Sequence, residues 1–224
     1  MEQESQPRVR ITADGPYRIE GALPVVRTAK VLTDHDEPVA WSPDEPVETR
    51  ESVALCRCGR SSDKPFCDGS HLEGFDGAET ADRRPSDARR RTYTGQGVVM
   101  TDDRSVCEHA SFCGDRSTNV WRMIKETDDP SVRERLIAMV RLCPSGALQY
   151  SIEPGEAPIE PELGTSVAVV RDGPLWVRGG VRVTGADGFD YETRNRVTLC
   201  RCGRSTNKPF CDGSHAEVGF RDPA

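Results

Sequence analysis

The chain has 224 residues, enough for one large or two to three small domains, and its net charge of −7 at pH 7 argues against a nucleic-acid binder. Hydrophobic residues make up 35% and charged residues 30%, which predicts small cores held by cofactors rather than one large apolar core. The polar start, MEQESQPRVR, has no apolar run for a signal peptide, and no stretch approaches the ~20 apolar residues of a membrane span, so a cytoplasmic protein is expected.

The nine cysteines fall into three groups of three. Disulfide pairing would leave one over, so a reducing compartment with metal-bound thiolates is the better reading. Along the chain, residues 15–21 (GPYRIEG) alternate apolar and polar positions, as a half-buried strand does. Residues 173–179 (GPLWVRG) echo them, so the chain contains a repeat. Val25 and Val26 continue as a second short strand, and the acidic, Pro-rich residues 33–46 read as a loop. His35 is expected to be solvated there, and Trp41 to pack. Ser52 to Leu55 then forms a strand that leads into the first cysteine group, as Arg196 to Leu199 leads into the last.

Residues 56–71 read CRCGRSSDKPFCDGSH, and residues 200–215 read CRCGRSTNKPFCDGSH. Only Ser62/Thr206 and Asp63/Asn207 differ. Each copy is Cys-x-Cys-x8-Cys-x3-His, three thiolates and an imidazole, a complete donor set for a metal ion or an iron–sulfur cluster. Cys56 and Cys58 can share one iron from a tight turn that Gly59 allows. Cys67 and His71 lie one helical turn apart, with Asp68 as the expected N-cap, and Phe75 and Phe220 are expected to cap the cluster helix by packing.

The string Cys-Asp-Gly-Ser-His, with Cys-x-Cys upstream and Lys-Pro-Phe before the third cysteine, resembles the CDGSH family. The resemblance implies a [2Fe–2S] cluster on Cys56, Cys58, Cys67 and His71, and another on Cys200, Cys202, Cys211 and His215. Spacing alone also admits a Cys3His zinc site, and with it a zinc-stapled interaction module without redox chemistry. Members with one motif per chain form dimers, so two motifs in one chain imply an intramolecular pseudo-dimer.

Residues 81–95, Arg-rich and with little to pack, read as a solvated linker, or else as a basic patch for an acidic partner. In residues 96–152, Val98 to Met100 is a strand, Asp129 caps a helix with Pro130 at its first position, and Val132, Leu136, Met139 and Val140 share its apolar face. Pro144 ends that helix, and Leu148, Tyr150 and Ile152 alternate as a closing strand. Cys107, Cys113 and Cys143, the last in Cys-Pro-Ser-Gly-Ala-Leu, are similar to the divergent mono-cluster ferredoxin domain. Ala110 stands where ordinary ferredoxins carry a middle ligand. Three cysteines suit a [3Fe–4S] cluster, His109 as a fourth ligand would suit a [4Fe–4S] cluster, and the alternative is a domain that holds no cluster and persists as a fold.

Residues 153–165 read as a second linker, and Val167 to Arg171, Leu175 to Arg178 and Val181 to Thr184 as short strands. The expected fold is α+β: β-rich modules over residues 1–80 and 166–224 around a ferredoxin-like unit over residues 96–152. The expected function is electron transfer with a redox partner protein, by a monomer without nucleic acid or membrane. Cluster donation to an apo acceptor is the alternative, as is redox or pH sensing, since protonating a His ligand loosens a cluster. No nucleophile–base pair or nucleotide loop points to catalysis by the chain itself.

Overall fold

The computed structural model describes residues 6–49 and 53–222. In the first half, short strands run in the order β1 (Arg8–Ile11), β2 (Tyr17–Glu20), β3 (Val25–Thr28), β4 (Lys30–Leu32), β5 (Pro38–Trp41), β6 (Glu45–Pro46) and β7 (Val53–Leu55). The middle of the chain contributes β8 (Arg91–Gly95), β9 (Val98–Asp102), helices α1 (Val120–Met123) and α2 (Pro130–Arg141), and β10 (Leu148–Ser151). The last part adds β11 (Ser166–Val170), β12 (Leu175–Arg178), β13 (Arg182–Thr184), β14 (Arg196–Leu199) and the one-turn helix α3 (Ser214–Glu217). No helix among the described residues is long and apolar enough to cross a membrane.

The two halves exchange strands. One sheet has the order β13–β1–β2–β7, the other β14–β12–β11–β3–β6. Strand β13 runs parallel to β1, with Val183 opposite Val9. Strand β3 runs parallel to β11, with Val26 opposite Ala168. The first sheet therefore takes one strand, β13, from the second half, and the second takes two, β3 and β6, from the first; the parallel pairs β1–β13 and β11–β3 match each other.

That exchange decides where the core lies. Val9, Ile11, Tyr17 and Leu55 from the first half pack in one apolar cluster with Val167, Val169, Leu175 and Leu199 from the second. The two halves share one core, larger than expected, because both contribute a face to it, while the middle unit and each cysteine turn keep small clusters of their own, as expected. In β1 and β2 the inward residues alternate with exposed or half-buried ones, as expected for a half-solvated sheet. In β12, by contrast, all four residues are buried. Its second face is covered, because Trp41 packs on Trp176 with ring centroids 4.8 Å apart.

Trp41 also meets Phe112 at 4.9 Å, and its indole N–H donates to the Leu142 carbonyl at 3.1 Å. It is a packing residue that joins three parts of the chain. Its position corrects the loop expected over residues 33–46: β4 and β5 form a hairpin, and β6 adds to the second sheet through β3. His35 is exposed, as expected, and Ser52 lies outside the described residues.

The middle unit is a three-stranded sheet, β10–β9–β8, backed by α1 and α2. Asp129 accepts from the Ser131 N–H at 2.8 Å and Pro130 opens α2, as the sequence predicts. Leu136 and Val140 turn into a core with Val98, Met100 and Leu148. The expected linker over residues 81–95 is shorter than its composition suggests, because residues 91–95 pair with β9 as strand β8. Four of its five arginines have acidic partners rather than standing free as a basic patch. Arg83 pairs with Asp187, Arg84 with Asp82, Arg90 with Asp87, and Arg89 is buried against Asp103 at 3.0 Å.

Candidate metal-cluster centres

In each CDGSH-like copy the donors come as two close pairs. The Cys56 and Cys58 sulfurs are 3.8 Å apart, and the Cys67 sulfur lies 3.3 Å from His71 Nδ1. In the second copy the Cys200 and Cys202 sulfurs are 3.7 Å apart, and the Cys211 sulfur lies 3.3 Å from His215 Nδ1. A tetrahedral metal with bonds of roughly 2.3 Å to sulfur sets its ligands about 3.7 Å apart, so each pair suits two corners of one metal ion. Among the described residues no three such groups enclose a single ion. A donor set split into two pairs fits a group with two metals better than one zinc ion held at four corners.

The local backbone is built for these pairs. Leu55 and Phe66 form an isolated bridge, as do Leu199 and Phe210, which folds the first Cys-x-Cys back toward the third cysteine. Cys58 and Cys202 bridge to each other across the two halves. A Cβ at Gly59 would sit 2.5 Å from the Cys202 carbonyl oxygen, and one at Gly203 equally close to that of Cys58. Both glycines have positive φ, 78° and 76°. Only glycine lets these turns meet back to back.

The expected N-cap at Asp68 is corrected. The short turn Ser70–Leu72 starts after Gly69, at φ 97°, and α3 likewise starts after Gly213. Asp68 instead clamps two segments, accepting from the Ser70 N–H at 3.0 Å and the Ser62 N–H at 2.8 Å. Asp212 does the same with Ser214 and Thr206. A glycine with positive φ between Asp and Ser prevents the aspartate from entering the helix start. Phe75 packs on Cys56 and Cys58, and Phe220 on Cys200 and Cys202, rather than only on the turn that follows each third cysteine.

Protonation follows burial and crowding. A hydrogen bond from Cys202 pulls Cys200 down to about 6 and leaves Cys202 raised, so this pair keeps one proton without a metal. Burial pushes Cys58 and Cys211 up. Burial, with Lys30 and Arg201 nearby, brings His215 down to about 4, which favours the neutral imidazole that a metal requires. Two cations went unremarked in the sequence. Arg57 and Arg201 stand between the cysteines of each Cys-x-Cys and are buried. Arg57 donates to the Thr12 and Gly77 carbonyls, while Arg201 pairs with Asp222 and donates to Val170 and Gly173. An arginine flanked by two cysteines was the available signal.

In the middle unit, Cys107, Cys113 and Cys143 line one cavity of about 100 Å³ together with His109, Trp121 and Ser145. The cavity therefore unites residues that are thirty and more positions apart in sequence. His109 reaches it from a strained backbone with φ 60°. Burial and the neighbouring Cys143 and Cys107 push Cys113 up to about 11, and burial also raises Cys107. Three thiols crowded around one space are the donor set of a metal cluster, which would supply the positive charge that thiolates need. Glu108, missed in the sequence, is buried beside this cavity with Oε2 lacking a hydrogen-bond partner. Burial pushes it up to about 7 against the pull of Lys30 and Thr198.

The family described as iron-binding zinc finger CDGSH type matches residues 14–72 and 172–216. The family described as divergent 4Fe-4S mono-cluster matches residues 93–153. No curated protein and no solved structure matches the chain. The matched segments contain all eleven cysteine and histidine donors expected from the motifs, and His109 as well. The chain thus carries two CDGSH-type iron-binding segments around an inserted divergent 4Fe–4S mono-cluster domain.

Proposed function

We propose that the protein is a one-electron carrier of the cytoplasm with three iron–sulfur centres. Cys56, Cys58, Cys67 and His71 would hold one [2Fe–2S] cluster, and Cys200, Cys202, Cys211 and His215 the other. Cys107, Cys113 and Cys143 would hold a [3Fe–4S] cluster, or a [4Fe–4S] cluster with His109 as fourth ligand. Such groups, when bound, supply reversible one-electron chemistry. The single observation that carries the reading is the split of each motif into a Cys–Cys and a Cys–His pair at 3.3 to 3.8 Å.

The chain's own residues supply the rest. One imidazole per site replaces a thiolate, which removes one negative charge and raises the potential above the about −400 mV of all-cysteine ligation. Arg57 and Arg201, next to both cysteines in sequence, are buried cations; Arg57 has only carbonyl partners, so its charge favours the reduced, more negative state, while Asp222 offsets that of Arg201. The reciprocal strand exchange and the Cys58–Cys202 bridge support an intramolecular pseudo-dimer acting as one folded body. Nine free cysteines support a reducing compartment. A redox partner protein would deliver or remove the electrons.

Electron paramagnetic resonance of the dithionite-reduced protein tests the proposal. Two half-integer-spin signals that disappear separately in C67S and C211S proteins would support it. A protein that stays silent after reduction while carrying zinc would overturn it.

A further inference from the structure

The two CDGSH motifs are nearly identical over residues 56–71 and 200–215, yet the surroundings differ at four matched positions in and just before them. At the second copy, the middle part of the chain lies on the motif. The Asn207 amide donates to the Ser105 carbonyl at 2.6 Å. Glu192 accepts from the Ser86 N–H at 2.8 Å. Thr198 stands beside the buried Glu108. A Cβ at Gly213 would meet the Glu108 carbonyl at 3.1 Å and the His109 ring at 3.2 Å.

The matched positions in the first copy are Asp63, Glu48, Ala54 and Gly69. Among the described residues, nothing lies within 4 Å of a Cβ at Gly69. Asp63 and Glu48 are exposed. Among the described residues, Glu48, Thr49, Val53, Ala54, Asp63, Phe66 and Cys67 line an open cavity of about 370 Å³. Cys67 is half-buried there, whereas Cys211 is 2% exposed. Among the described residues, the face that the second motif gives to the chain's own middle unit has no such cover at the first.

One of the two sequence differences inside the motif falls on this face. Asn207 needs an N–H to satisfy a carbonyl, and Asp63 cannot supply one. The exchange removes a donor made for the internal contact and leaves a carboxylate facing outward, next to Glu48. At the second copy, Glu192 has Arg89, from the stretch before the middle unit, at 4.0 Å, and Arg194 of its own segment at 3.7 Å.

We infer that this face of the first motif is the docking surface for a separate redox protein that presents a basic loop beside Cys67. The inference rests on the electron-carrier reading. One electron would pass between the first centre and the partner's own one-electron centre, with no bond made or broken. Electrostatic pairing at an exposed rim sets encounter and orientation, and salt screens it.

Cytochrome c, a basic one-electron acceptor, serves as the probe. Hydrogen–deuterium exchange is measured on the full protein with and without oxidised cytochrome c, at low and high salt. The account predicts protection in residues 53–69 and none in residues 197–213. That protection is lost at high salt and in the D63N/E48Q double variant, which keeps its fold because D63N only installs the second copy's residue and Glu48 is exposed. Protection elsewhere on this acidic chain, protection indifferent to D63N/E48Q, or no protection would overturn the inference. Protection of residues 53–69 that grows with protein concentration alone would also overturn it, by assigning the face to a second copy. Exchange reads docking whether or not iron is bound, so an iron-free protein that still docks would sink the electron-carrier reading and leave the surface standing.

Discussion

The Tyr17 hydroxyl, from the first half of the chain, donates to the backbone carbonyl of Cys200 in the second motif at 2.7 Å. Tyr17 is fully buried, and burial raises its pKa well above the ordinary phenol value, so it stays a neutral donor. The bond fixes the turn that presents Cys200 through a residue 183 positions away. Replacing Tyr17 by Phe leaves that carbonyl short of a partner and is expected to cost about 1–2 kcal/mol. Urea denaturation followed at probes in both halves checks it: the transitions should shift together, since one core joins them.

Asn207 and Ser105 make the internal dock specific. In N207D protein a carboxylate would face a carbonyl, with an expected loss of roughly 1–3 kcal/mol in the docked state. Limited proteolysis should then cut sooner within residues 98–151, while D63N, its mirror image, leaves the cleavage rate unchanged.

Gly59 and Gly203 let the two cysteine turns touch. In G59A protein the new Cβ would clash with the Cys202 backbone at 2.5 Å, and φ 78° adds strain of on the order of 1 kcal/mol or more. G69A has the same kind of backbone strain, φ 97°, without the clash. G59A is therefore predicted to lose more thermal stability than G69A, and equal losses would refute the close contact as the cause.

Glu20 receives hydrogen bonds from Arg10 and Arg8 at 2.6 Å each, and these hold its carboxyl below the ordinary range, Arg10 having the larger effect. A depressed folded-state pKa stabilises the protein above the unfolded value of about 4.3 and loses that contribution as pH falls through the folded value. Glu20 is partly exposed, so the effect is expected to stay under about 1 kcal/mol. Stability measured from pH 7 to 3 should fall less steeply in E20Q protein, which lacks the contribution at every pH.

The histidine ligands set the potential. H71C and H215C proteins are predicted to have lower midpoint potentials, toward the about −400 mV of all-thiolate sites. Potentiometric titration reads the shift for each site separately, and an unchanged potential in either variant would remove that histidine from the ligand set.

Much of this was legible in the sequence because it is local. The donor spacing, the Asp129–Pro130 helix start and the apolar face of Leu136 and Val140 are set within a dozen residues. What was not legible depends on distant partners. Residues 91–95 (RTYTG) look like linker because they follow an Arg-rich run and carry little that could pack, and only pairing with β9 makes them a strand. The exchange of β3 and β13 is invisible in Val25–Thr28, whose neighbour in space is Val167 and its successors. Asp68 follows helix-cap rules in sequence, but the positive φ of Gly69 diverts it to clamp Ser62 instead. Glu108 carried no signal, because its burial arises only when the middle unit lies on the second motif.

The most direct measurement is iron, acid-labile sulfide and zinc per chain on anaerobically purified protein, with its absorption spectrum. The account predicts about seven or eight irons with matching sulfide and visible charge-transfer bands, from two [2Fe–2S] clusters and one [3Fe–4S] or [4Fe–4S] cluster. Stoichiometric zinc in a colourless protein would contradict it.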